Sequence, residues 1–164
     1  MKRRYNFERL KFHPRTGDRR KLTPDEHPPI PINEDEKVSG ALNRIMYVED
    51  EPDIQAIAKL ALEAIGGFTV KICSSGREAL TEAAAFAPDL ILLDVMMPGM
   101  DGPTTLKAMR EIAGLKQTPV IFMTAKVQPQ EVAFYHQLGA LDVIAKPFDP
   151  MSLSSSVRSI WENH

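Results

Sequence analysis

An aspartate that closes a run of four apolar residues, Leu90-Ile91-Leu92-Leu93-Asp94, is a carboxylate delivered to the end of a buried strand, where water and ligands reach it. Two further acids, Glu49 and Asp50, close an earlier apolar run over 44–48, and Lys146 precedes Pro147 at the end of a later one. Thr124 ends the run Val120-Ile121-Phe122-Met123. Three carboxylates brought together raise one another's pKa unless a cation compensates them. Mg²⁺ suits such a site, because it takes hard oxygen ligands, needs only a few carboxylates and keeps waters that a phosphate can replace. A carboxylate nucleophile, a divalent cation and a lysine are together the parts of a phosphoryl-acceptor site.

Those residues need a scaffold that places strand ends on one rim. From Asn43 onward, short apolar runs alternate with amphipathic segments, which predicts strands over 44–48, 68–72, 89–93, 119–123 and 141–144. Helices are predicted over 53–65, 76–86, 103–112, 129–138 and 150–162. The runs at 91–93 and 120–123 are continuous rather than alternating, as expected of parallel strands covered on both faces. Pro52 and Pro129 suit first helical turns, Gly66-Gly67 and Gly139 suit helix ends, and Pro88 separates a helix from a strand. The expected fold class is α/β, a doubly wound five-stranded parallel sheet with helices on both faces. Ligands of such sheets bind outside the carboxyl ends of the strands. In the flavodoxin-like order 2-1-3-4-5, the first and third strands are neighbours, so Glu49, Asp50 and Asp94 converge.

Composition bounds the remainder. The 164 residues, 43% hydrophobic, suffice for one sizeable core. No apolar stretch approaches the roughly 20 residues that span a bilayer, and the first residues carry charge rather than a signal-peptide core, so a cytoplasmic location and no membrane partner are expected. The lone Cys73 has no intramolecular partner for a disulfide, and the four histidines are scattered. The net charge of −2 hides an asymmetry: nine bases face two acids up to Lys21, a net of +7, whereas five acids face Lys37 alone over 22–37, a net of −4. With five prolines and no apolar period, residues 1–40 are expected to be a flexible basic extension, and 41–164 the folded domain.

Four motifs, Tyr47-Val48-Glu49-Asp50-Glu51, Leu92-Leu93-Asp94-Val95-Met96-Met97-Pro98-Gly99-Met100-Asp101-Gly102, Met123-Thr124-Ala125 and Ala145-Lys146-Pro147-Phe148, occur in the order and approximate spacing of a known family. Residues of about 43 to 162 resemble the receiver domain of two-component response regulators, here as a single-domain, CheY-like chain. The resemblance implies that Asp94 is the phosphoacceptor, taking its phosphoryl group from a phosphohistidine on a sensor histidine kinase or histidine phosphotransfer protein. It implies Mg²⁺ held by Glu49, Asp50, Asp94 and the backbone carbonyl of Met96. Lys146 would pair with a phosphoryl oxygen, aimed inward by a cis bond to Pro147, and Thr124 would swing its hydroxyl toward the phosphate. Such a chain catalyses only its own phosphorylation and slow dephosphorylation, and is otherwise no enzyme. An unidentified downstream protein would read the switch, or the phosphate would pass on in a relay.

Three positions tune that picture. Val143 stands where many receivers carry Tyr or Phe, and valine lacks the inward and outward states of an aromatic ring. Signal would then leave through the loop and helix after Thr124, where Phe134, Tyr135 and His136 crowd one turn as packing groups or as a docking site. Met96 and Lys126, two residues after the acceptor and after the threonine, would flank the water that attacks the acyl phosphate. Among alternatives, a haloacid dehalogenase-type phosphatase needs a second acid two residues after its aspartate, where this chain has Met96. A DNA-binding regulator would have only the basic tail for contacts, which disfavours nucleic acid as a partner, and a scaffolding pseudo-receiver would have lost site residues that are all present here.

Overall fold

Residues 40–164 are described by the computed structural model, and Ser39–His164 form one compact unit by their own contacts. The basic extension expected over 1–40 lies, apart from Gly40, outside the described residues, and with it the segment that a DNA-binding reading would need. The chain alternates β1 (Arg44–Val48), α1 (Pro52–Leu60, continued by a π-helical turn Ala61–Ile65), β2 (Thr69–Cys73), α2 (Gly76–Phe86) and β3 (Leu90–Asp94). It continues with α3 (Gly102–Met109), β4 (Val120–Thr124), α4 (Pro129–Gln137), β5 (Asp142–Ala145) and α5 (Leu153–Glu162). All strand pairs are parallel, in the order β2-β1-β3-β4-β5. Among the described residues no helix is long and apolar enough to cross a membrane.

Strand periodicity divides the core into two layers. Met46, Val48, Ile91, Leu93 and Phe122 pack against Ala79 and Ala83 of α2, Leu106 and Met109 of α3 and Tyr135 of α4. The alternate residues Ile45, Tyr47, Leu90, Leu92, Ile121 and Met123 pack against Ala58 of α1 and Leu153 and Val157 of α5. Strands β3 and β4 are buried along their whole length, which explains their continuous apolar runs.

Boundaries shift where side chains or turns claim backbone groups. Strands expected at 68, 89 and 119 begin one residue later. The Phe68 N–H is taken by the Leu62 carbonyl, Pro119 has no N–H to give, and the Asp89 carboxylate accepts from Arg44 N at 2.7 Å and Asn43 N at 3.1 Å. Helix α3 stops at Met109 rather than 112, because the chain tightens into i→i−3 bonds at Glu111 and Ile112 and turns at Gly114 with φ 87°. The Arg110 guanidinium then holds the loop, donating to Leu115 O at 2.9 Å and Thr118 O at 2.8 Å. Helix α5 begins at Leu153 rather than 150, after a turn in which Asp149 accepts from Met151 N at 3.0 Å. The anticipated helix ends are present: Pro52 and Pro129 lie in first turns, and Gly67 and Gly139 take φ of 69° and 94°.

Candidate phosphoryl-acceptor site

Parity and register assemble the site. Asp94 shares the β3 face of Leu90 and Leu92, while Glu49 follows Tyr47 by two residues at the end of β1, the neighbouring strand. One carboxylate oxygen from each of Glu49, Asp50 and Asp94 lies within 4.8 Å of the other two. Glu49 is fully buried and Asp94 nearly so, whereas Asp50 is half-buried at the mouth. The lysine arrives from β5, whose end is tied to its neighbour by Lys146 N donating to Thr124 O at 2.8 Å, and the Lys146–Pro147 bond is cis. Its ammonium lies 2.7 Å from Glu49 Oε2 and 3.3 Å from Asp94 Oδ2, bridging the two buried acids.

Three carboxylates against one ammonium leave two negative charges uncompensated in a largely buried spot. That imbalance, and an all-oxygen donor set, fit a hard divalent cation. Burial first, and then the Glu49 charge, push the Asp94 carboxyl up to about 6, against the opposing pull of the Lys146 ammonium and the Met96 N–H. For Lys146, burial alone would lower the pKa, but the hydrogen bond to Glu49 and the charges of Asp94 and Glu49 outweigh it and hold the ammonium above the usual lysine range. Asp94 Oδ1 receives only a long contact, 3.4 Å from Met96 N, which leaves it the less engaged of the two oxygens.

The loop after Asp94 folds back tightly. Gly102 N donates to Val95 O at 2.8 Å, and a Cβ at Gly102 would lie 2.5 Å from the Asp94 carbonyl oxygen, so glycine is required by close approach. Asp101 caps α3 by accepting from Thr104 N at 2.8 Å. On the outer side an open cleft of about 440 Å³ is lined by Met96, Met97, Pro98, Asp101, Lys126 and Tyr135. Met96 is 67% exposed there.

Thr124 lies on the opposite sheet face from Asp94, in the parity of Val120 and Phe122, and its hydroxyl oxygen accepts from Lys126 N at 3.1 Å. Val143 packs against the core layer that contains Phe122 and Tyr135. The aromatic turn of α4 splits by role: Tyr135 is buried 5.3 Å from the Phe122 ring, whereas Phe134 is exposed and His136 faces the Ala140 carbonyl and Asp142. Two contributors had no role assigned from the sequence. Tyr47 donates its hydroxyl to Glu49 Oε2 at 3.2 Å, and Gln55 of α1 donates to the Glu49 carbonyl at 2.5 Å. The spacing of two between Tyr47 and Glu49 was the available signal for the first. The Gln55 contact spans a loop and had none.

Comparison with known proteins places this geometry. Residues 45–158 match the model of the response regulator receiver domain. The chain is 34% identical over 116 residues to the DNA-binding response regulator MtrA of Mycolicibacterium smegmatis, covering 71% of this chain and 49% of that protein. It is 38% identical over 119 residues to the transcriptional regulatory protein CpxR of Escherichia coli, covering 73% and 49%. The chain thus spans about half the length of these curated relatives. Among solved structures, the chemotaxis protein CheY4 of Vibrio cholerae superposes with a TM-score of 0.68 at 30% identity, over 73% of this chain and 99% of that one. A response regulator from Chloroflexus aurantiacus gives 0.66 at 30% identity, over 74% and 98%.

Proposed function

The chain belongs to the response regulator receiver domain family, and from that premise we propose that Asp94 is the phosphoacceptor of a two-component phosphorelay. The observation that carries this reading is the convergence of Glu49, Asp50 and Asp94 within 4.8 Å, with Lys146 bridging Glu49 and Asp94. The donor is a phosphohistidine on a sensor histidine kinase or phosphotransfer protein. An Asp94 carboxylate oxygen attacks phosphorus, the P–N bond breaks with its electron pair leaving on the imidazole, and an acyl phosphate forms. Lys146, already 3.3 Å from Asp94, pairs with a phosphoryl oxygen and offsets charge in a loose transition state. Mg²⁺, when bound by Glu49, Asp50, Asp94 and the Met96 carbonyl, supplies the remaining positive charge. The Thr124 hydroxyl uses its oxygen as an acceptor for Lys126 N, so its hydrogen is available for a phosphoryl oxygen. Turning it would alter the β4–α4 loop and pass the signal outward. Beyond this self-phosphorylation and slow hydrolysis of the acyl phosphate by water, the domain is no enzyme.

The test is incubation of the full chain with acetyl phosphate and Mg²⁺, followed by intact-mass and peptide analysis. A single acid-stable but base- and hydroxylamine-labile phosphate on Asp94 is expected, absent in Asp94→Asn and in excess EDTA. Undiminished label in either control overturns the assignment.

A further inference from the structure

Among the described residues, Tyr47 brings the only side-chain hydroxyl that donates to a site carboxylate, and it comes from inside the sheet. The residue is fully buried in the interior strand β1, flanked by Ile72 of β2 and Leu92 of β3. A tyrosine buried to this depth needs a partner for its O–H, and it finds Glu49 Oε2 at 3.2 Å. That same oxygen takes the Lys146 ammonium at 2.7 Å, while Oε1 accepts from Glu51 N at 3.2 Å. The two Glu49 oxygens therefore have different duties. Oε2 is held from within the protein by two side-chain donors, and Oε1 has only a backbone amide and keeps a lone pair.

Lys146 is shared between Glu49 and Asp94, and a phosphoryl group on Asp94 draws it away from Glu49. The fully buried Glu49 carboxylate would then lose its charged donor, and a buried acceptor left unpaired is costly. The Tyr47 hydroxyl stays where it is. A phenol O–H is a donor, and at 3.2 Å from Oε2 it stays paired with Glu49 whichever group Lys146 serves.

We propose that Tyr47 is a positioning residue for this reaction: its hydroxyl fixes the Glu49 carboxylate with Oε1 turned to the divalent cation, and keeps Oε2 satisfied when Lys146 transfers to the phosphoryl group. The proposal rests on the phosphoacceptor reading of Asp94. It separates Tyr47 from the apolar residues around it, whose part in β1 is packing alone.

Tyr47→Phe in the full chain removes the hydroxyl and keeps the ring, so the thermal midpoint is expected within about 4 °C of the parent. Mg²⁺ affinity, measured by calorimetry without any phosphodonor, should weaken at least about twofold, and the acetyl phosphate labelling rate at saturating Mg²⁺ should fall at least about threefold. Smaller changes in either overturn the proposal. Repeating the Mg²⁺ titration in Glu49→Gln supplies the arm that a folding defect cannot mimic. There Tyr47→Phe should have no further effect, whereas an equal loss in both backgrounds makes the contribution mere packing and overturns the proposal. If the parent chain labels on Asp94 and only the Tyr47 effects fail, the acceptor reading stands without this inference. If the parent itself takes no label on Asp94, both fall together.

Discussion

Asp94, the proposed acceptor, is a buried carboxylate whose environment sets a pH dependence. Its folded-state pKa of about 6 exceeds the ordinary 3.8. Between those values the folded state binds the proton more tightly than the unfolded chain, so this group makes stability fall as pH rises through that window. At about 1.4 kcal/mol per pKa unit, Asp94→Asn is expected to stabilise the cation-free chain by roughly 1–3 kcal/mol at pH 7.5, and by little near pH 4. Urea unfolding in EDTA at both pH values checks this, and a less stable variant at pH 7.5 would contradict it. Labelling at limiting Mg²⁺ should decline below about pH 6, because the proton competes for the same oxygens. Met96 sets a second outcome. Exposed on the rim of the cleft that Lys126 also lines, it offers no hydrogen bond to orient an attacking water. Slow self-dephosphorylation is expected, and Met96→Asn should shorten the acyl phosphate lifetime by roughly two- to tenfold in a chase at saturating Mg²⁺ after the phosphodonor is removed. An unchanged or longer lifetime counts against a rate set at this flank.

Elements contribute to the site through where they end. The β3 strand must finish at Asp94 and the chain must return at once to start α3, which it does by bringing Gly102 against the Asp94 backbone. Gly102→Ala puts a methyl group 2.5 Å from the Asp94 carbonyl oxygen and 2.9 Å from Val95 Cα, neither of which can move without tilting the acceptor. A loss of about 1–3 kcal/mol in urea unfolding is expected, together with slower acetyl phosphate labelling. A variant of parental stability and rate would show that the loop yields freely. By contrast, Gly99 and Gly114 have open space around them, and their φ of 77° and 87° makes them turn positions rather than close contacts. On β5, Val143 joins the layer formed by Phe122 and Tyr135, so the buried ring beside the end of β4 is supplied by α4.

The five strands and five helices that build both core layers lie between Arg44 and Glu162, and Ser39–His164 cluster as one unit. A chain beginning at Ser39 is therefore expected to unfold in one transition and to take label on Asp94, as read by thermal melting and intact mass. A broad or multistep melt, or loss of label, would contradict this. Much of this architecture was legible in advance. Short apolar runs between amphipathic segments indicated five βα units, and position at the strand ends, with the order 2-1-3-4-5, indicated which acids share a rim. Boundaries were off by one to three residues where a group outside the element captured an N–H or carbonyl, as the Asp89 carboxylate does at Asn43 and Arg44 and Arg110 does after α3. Such captures depend on what lies across space, which periodicity does not record.

The sequence by itself determined the kinds of group at the site, because acids, lysine and threonine at strand ends are local facts of composition and spacing. Tertiary structure decided how they divide the work. Lys146 is 97 residues from Glu49 in sequence, yet its ammonium bridges Glu49 and Asp94 because β5 is carried to the sheet edge and its end turned inward. The raised Asp94 carboxyl, the split duties of the Glu49 oxygens and the contact from Tyr47 all follow from burial and from angstrom-scale distances. Electrostatic energies depend on separation and surroundings, and both exist only once the chain has folded.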